Sequence, residues 1–129
     1  MANIHIDDLA DAIVSAVREY TEDVSEAIEA KAEEVAEAIR ETAAQDAPER
    51  TGEYKKGFKV TRQKFADGRV RFVVWNKKHY MRVHLLEFGH ALRKGGRARA
   101  FPHLRPAYDR HVKELDEGIK RIIRNGGGR

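Results

Sequence analysis

Three side chains at a regular spacing, His84, Glu87 and His90, are the best candidates in this chain for binding a metal ion. Imidazole nitrogens and carboxylate oxygens are common zinc ligands. Their spacing is His-x-x-Glu-x-x-His, whereas the zinc-protease pattern places two histidines at i and i+4 with glutamate directly after the first. On a strand the glutamate would point away from both histidines, but on a helix all three could converge. A metal-dependent hydrolase therefore stays open. The favoured interpretation is that the two histidines and the glutamate hydrogen-bond turn amides and each other at a subunit interface.

A glycine- and arginine-rich segment follows directly, from His90 to Ala100. Its Gly95-Gly96 pair lies among basic residues and does not open a helix, so the segment lacks the context of a phosphate-binding loop. We predict a mobile loop that docks on a partner protein through four cations, Arg93, Lys94, Arg97 and Arg99.

Other catalytic signatures are missing from the sequence. It contains no Gly-x-Ser-x-Gly elbow, no Rossmann fingerprint and no cysteine, and its two serines, Ser15 and Ser25, lie in the acidic N-terminal segment, where they are poorly placed for nucleophilic chemistry. These absences predict that the chain binds no cofactor.

The charges divide the chain into two unlike halves. Residues 1–50 contain 4 Lys+Arg and 14 Asp+Glu, whereas residues 51–129 contain 21 Lys+Arg and 7 Asp+Glu. One interpretation is that the halves attract each other within the fold or between subunits. The other is a small basic nucleic-acid-binding protein, because clustered cations suffice for nonspecific phosphate binding. No reading motif accompanies the cations, which favours the first interpretation.

A long amphipathic helix is predicted over residues 6–45, with a possible break near 21–25. Its apolar residues recur at steps of three or four, and neither proline nor glycine interrupts them. At about 1.5 Å per residue the helix would extend on the order of 55 Å, which is long for one domain of 129 residues. Part of its apolar stripe is therefore expected to pack on a neighbouring subunit.

The rest of the chain predicts a small antiparallel sheet and a second helix. Residues 52–105 hold the sheet and the basic loop, with an Asp67-Gly68 hairpin turn between two alternating strands. Tyr80 to Phe88 is predicted to begin as helix and to end as a third strand at Gly89. A C-terminal helix is predicted over 106–124, followed by a flexible tail at 125–129. Together these elements predict a single α+β domain with both helices packed on the sheet. No signal-peptide pattern and no membrane span are indicated.

Three short motifs carry a resemblance to a known family. Residues 47–57 (APERTGEYKKG) resemble its A-P-x-x-T-G motif, residues 80–90 resemble its tyrosine followed by E-F-G-H, and residues 101–107 (FPHLRPA) are similar to its P-x-L-x-P-A motif. The family often has serine where this chain has Gly57, which removes a hydroxyl. The motif positions are Pro48, Thr51, Gly52, Tyr80, Glu87, Gly89, Pro102 and Pro106.

The family is that of the head–tail joining, or tail-completion, proteins of long-tailed bacteriophages, also labelled minor capsid or tail-component proteins. The resemblance covers roughly residues 5–124, with the three motifs in the same order. It implies an α+β fold without enzymatic activity and a place in the virion neck, reached after assembly in the host cytoplasm. It also implies a homo-oligomeric ring, commonly of six, that meets head-completion proteins and tail-tube or tail-terminator proteins. DNA would pass through the ring without sequence-specific binding.

Overall fold

The computed structural model describes residues 6–48 and 52–127, which form four helices and two small antiparallel sheets. The predicted α+β class, with a long N-terminal and a C-terminal helix, is confirmed. In chain order the elements are α1 (Ile6–Asp46), α2 (Glu53–Lys56), β1 (Phe58–Lys64), β2 (Val70–Asn76), α3 (Tyr80–Phe88), β3 (His90–Ala91), β4 (Arg97–Ala98) and α4 (Leu104–Arg124).

Helix α1 is continuous over 41 residues, so the possible break near 21–25 is absent. It ends two residues before Pro48, as expected because a residue before proline avoids helical dihedrals. Only its C-terminal half is buried. The core contains Val35, Ile39, Ala43, Ala47, Tyr54, Phe58 and Ala107.

Helix α4 packs along α1 in the opposite direction. Near one end the Thr42 hydroxyl lies 2.7 Å from His111 Nε2, and near the other the Tyr20 hydroxyl donates to the carbonyl of Ile123 at 2.8 Å. The turn after α4 lies against α1, because a Cβ on Gly127 would overlap the backbone of Asp23. The first turns of α1 therefore extend beyond the end of α4.

Strands β1 and β2 form the predicted hairpin. They pair from Phe58 with Asn76 to Lys64 with Val70. The Asp67 carboxylate accepts a hydrogen bond from the amide of Arg69 at 3.0 Å, and Gly68 has φ of 90°, which favours glycine. The predicted turn at Asp67-Gly68 is confirmed.

The predicted third strand ending at Gly89 is wrong. Helix α3 continues to Phe88, and Val83 and Leu86 pack from one side of it against the core. Gly89 ends the helix with φ of 72°, and a Cβ there would lie 2.6 Å from the carbonyl oxygen of Ala98. The short helix α2 was also not predicted.

The segment from His90 to Ala100, predicted as a loop, contains a small hairpin of β3 and β4. Gly95 and Gly96 have φ of 96° and 78°, and the tight turn is closed by a hydrogen bond of 2.9 Å from Leu92 N to Gly96 O. Helix α4 begins at Leu104 rather than at Pro106. In the described ranges, no helix has the length and apolarity needed to cross a membrane.

Candidate functional site

A buried network of polar side chains joins α2, β2, α3 and α4. His103, whose side chain is fully buried, lies 2.6 Å through Nε2 from the hydroxyl of Tyr54. The Tyr54 carbonyl accepts a hydrogen bond of 2.7 Å from the side-chain amide of Asn76, and Asn76 Oδ1 accepts from the amide of His79 at 2.9 Å. These bonds satisfy groups that would be costly to bury unpaired.

Glu87 connects this network to the start of α4. Its Oε1 accepts hydrogen bonds of 2.7 Å from the amides of both His103 and Leu104, and its Oε2 accepts one of 3.3 Å from Arg105. The first amides of a helix have no partner within it, and a negative charge beside them is favourable. Glu87, from the last turn of α3, is therefore the N-terminal cap of α4.

The protonation of the network follows from its acceptors. His103 Nδ1 lies 2.8 Å from the carbonyl of Phe101 and 3.0 Å from Glu87 Oε1, so it carries a proton. Burial raises the pKa of Tyr54 above its ordinary value, and the negative charge of Glu87 adds to the rise. The phenol therefore stays protonated and can donate to Nε2 of His103.

Gly57 makes room for this network. A Cβ on Gly57 would overlap the amide group of Asn76, which is fully buried. A serine here would therefore displace Asn76, so this position favours glycine.

The three metal candidates do not form a ligand set. Glu87 caps α4, the ring of His84 lies against that of Phe88 at 5.1 Å between centroids with a tilt of 54°, and His90 lies in β3 beyond the end of α3. Across residues 6–48 and 52–127, no three His, Asp or Glu side chains form a group able to hold a metal ion.

The four candidate docking cations lie on the β3–β4 hairpin and its continuation, here named the basic hairpin (residues 90–99). All four are exposed. Arg97 lies 3.5 Å from the carbonyl of Phe88, and Arg99 lies 6.0 Å from the ring of Phe101. The amide of Phe101 donates a 2.6 Å hydrogen bond to Leu86, which fixes the base of the hairpin to α3.

The motif positions are spread along the chain, and several of them lie at the ends of helices. Tyr80 begins α3, Gly89 follows its last residue, and Glu87 caps α4. Pro106 lies in the first turn of α4. Pro48 follows α1, Gly52 precedes α2 with φ of 80°, and Pro102 precedes α4. Thr51 lies outside the described residues.

The sequence did not identify the partners of Glu87. Tyr54 and His103 both lie in the motifs quoted above, which was the available signal, but nothing in the sequence places them together. Asn76 is the buried last residue of β2, and nothing in the sequence indicates its role in the network.

An apolar cleft of about 830 Å³ opens beside the capping network. Helices α1, α3 and α4 and strand β2 all contribute to its walls. Its lining includes Ala32, Val35, Ile39, Phe72, Val74, Val83, Tyr108 and Leu115.

One comparison with known proteins gives a match. Residues 7–89, well over half of the chain, match a family model described as "Bacteriophage HK97-gp10, putative tail-component". The match runs from α1 to the end of α3 and includes Glu87. No curated protein and no solved structure matches. The chain therefore belongs to the HK97-gp10-like family of bacteriophage structural proteins.

Proposed function

We propose that this phage structural protein completes the end of the tail and joins it to the head, as one subunit of a ring around the DNA channel. The observation that carries the proposal is the basic hairpin, which presents four exposed cations on a base fixed by α3 and the capping network. Partners with an acidic surface, among head-completion or tail-terminator proteins, would dock there.

The distribution of charge supports a ring. Glu29 of α1 pairs with Arg62 of β1, whereas Asp11, Glu19 and Glu22 form no ion pair with any described residue. In a ring, the acidic helix of one subunit would face basic residues of the next, and these carboxylates would then have cationic partners. Acidic side chains that instead face the channel would repel DNA and let it pass without gripping it.

The experiment replaces Arg93, Lys94, Arg97 and Arg99 with alanine in the phage that encodes the chain. All four side chains are exposed, so the fold should survive, while heads and tails should accumulate unjoined. Electron microscopy of lysates and plaque counts measure the result.

A matched control removes the same charge from α4, by replacing the exposed residues Arg110, Lys113, Lys120 and Arg124 with alanine. This variant should still join heads to tails. Normal infectious particles from the hairpin variant would overturn the docking assignment.

A second candidate function, nucleic-acid binding, is favoured by the end of the β1–β2 hairpin. Phe65 is 38% exposed, and the guanidinium groups of Arg69 and Arg71 lie 5.1 and 5.4 Å from its ring centroid. An aromatic ring between cations is a common way to hold a base and its phosphate. Salt-sensitive DNA binding at micromolar concentration by the isolated monomer, lost in Phe65→Ala, would favour this function.

A further inference from the structure

The first turns of α1 carry an exposed apolar stripe, whose last residue, Tyr20, contacts the turn after α4. Leu9, Ile13, Val17 and Tyr20 are 49%, 56%, 59% and 44% exposed. Their spacing of i, i+4, i+8 and i+11 places them on one face of the helix. A contiguous apolar face on a soluble protein marks a surface that binds a partner.

The apolar cleft described above is a fitting receptor for such a face. It is open, it is lined largely by aliphatic and aromatic side chains, and it is large compared with a single residue. Amphipathic helices commonly bind by laying apolar side chains at this spacing into a hydrophobic groove.

The stripe cannot fill the cleft of its own chain. Ala32 and Ile39 of the same helix form part of the cleft wall. Helix α1 is continuous, so Val17 lies about 22 Å along the axis from Ala32 at 1.5 Å per residue. One molecule therefore carries both surfaces but can bring them together only with another copy.

Charge favours a second copy as the occupant. Residues 7–23 contain six Asp or Glu and one arginine, so the helix that bears the stripe is strongly acidic. Arg71 and Arg105 lie at the cleft, where Arg105 also makes an exposed ion pair with Asp109, and the carboxylate of Glu87 is already bound by backbone amides. The surfaces are therefore complementary in charge as well as in polarity.

We propose that the α1 stripe of one copy docks in the apolar cleft of the next copy. This contact is head-to-tail, because it joins two different surfaces of the same chain, and repeated contacts of this kind close into rings when the rotation permits. The inference rests on the proposed ring-forming function, for which it supplies the subunit interface.

Disulfide cross-linking tests the contact, because the natural chain has no cysteine and every disulfide must come from the introduced residues. An Ile13→Cys chain is mixed with a Tyr108→Cys chain under mild oxidation at high protein concentration. Docking raises the effective concentration of the pair, so we expect about tenfold more of this heterodimer than in the control mixture.

The control pairs Ser15→Cys with the same Tyr108→Cys chain. Ser15 is exposed and lies on the opposite face of α1, at 200° from Ile13 for a helix of 100° per residue. All three positions are exposed, so each variant should fold, as circular dichroism would verify. Equal yields in the two mixtures would overturn the contact. A dominant Ile13→Cys homodimer would overturn it too, in favour of two stripes packed on each other.

Particle assembly separates failure of the interface from failure of the function. Ile13→Asp should abolish joining, and Ser15→Asp should not. If equal cross-linking yields accompany normal joining by Ile13→Asp, the interface is wrong and the neck function stands. If preferential cross-linking accompanies normal particles from the four-alanine hairpin variant, the interface stands and the docking function is wrong.

Discussion

Glu87 belongs to one helix and caps another, so its carboxylate affects stability well beyond its own element. Its side chain is 8% exposed and accepts hydrogen bonds from three amides at the start of α4. Replacing the carboxylate with an amide keeps the shape but turns an NH₂ group towards backbone donors. Removing the side chain leaves those donors unpaired.

We expect Glu87→Gln to lower the free energy of unfolding by about 1–2 kcal/mol and Glu87→Ala by about 2–3 kcal/mol. Urea unfolding measures both. The control is Glu117→Gln, because Glu117 is exposed on α4 and has no described partner. It should change stability by less than about 0.5 kcal/mol. Equal effects at positions 87 and 117 would contradict the cap.

Tyr54 makes the stability of the fold decrease at alkaline pH. Burial, with the charge of Glu87, raises the pKa of its phenol in the folded state. The unfolded chain releases this proton near pH 10, while the folded chain retains it. The contribution of Tyr54 to the free energy of unfolding is therefore complete below about pH 10. Above that pH the free energy of unfolding falls by at most about 1.4 kcal/mol per pH unit through this group.

We expect Tyr54→Phe to be less stable than the natural chain at pH 8, because His103 loses its hydrogen-bond donor, and to lose less further stability between pH 9.5 and 11. Urea unfolding across this range measures the slope. Tyr108→Phe is the control, since Tyr108 is exposed and its hydroxyl has no described partner. If Tyr54→Phe and the natural chain have the same slope, Tyr54 does not retain its proton.

At the scale of elements, hydrophobic periodicity predicted the long helix α1 and the β1–β2 hairpin, but not the short elements α3, β3 and β4. Helix α1 has eleven turns of repeating pattern, and the β1–β2 hairpin has alternation on both sides of an Asp-Gly turn. Helix α3 has nine residues, and over so short a run the same apolar positions fit a strand or a helix. The two-residue strands β3 and β4 have no period at all.

The start of α4 shows a second limit of sequence reasoning. Pro106 suits the first turn of a helix, so the sequence predicts that the C-terminal helix begins at that residue. The helix begins at Leu104 because Glu87 supplies the cap from 16 to 18 residues earlier in the chain. Glu87 and His103 both lie within the quoted motifs, but their contact depends on how α3 and α4 fold against each other.

At the scale of the whole molecule, the proposed contact makes stability and assembly depend on different parts of α1. Residues 9–23 are exposed and the buried stripe begins after them, so the first turns contribute little to the core of a single copy. Under the proposed contact, the same turns provide half of the interface between copies.

A chain that lacks residues 1–18 should therefore fold and fail to assemble. We expect its free energy of unfolding to lie within about 1 kcal/mol of that of the full chain, because no buried side chain of the described part is removed. When the shortened chain carries Tyr108→Cys, it should still form a disulfide with an Ile13→Cys chain, since its own cleft is intact. Heads and tails should stay unjoined.

A second deletion removes residues 118–129 from the other end, including the buried Gly118 and Ile122 and the turn that contacts Asp23. Loss of this buried isoleucine and of the last turns of α4 should cost at least about 3 kcal/mol. If the N-terminal deletion is the more damaging of the two, the stripe packs on its own domain in solution. It would then be unavailable to a second copy.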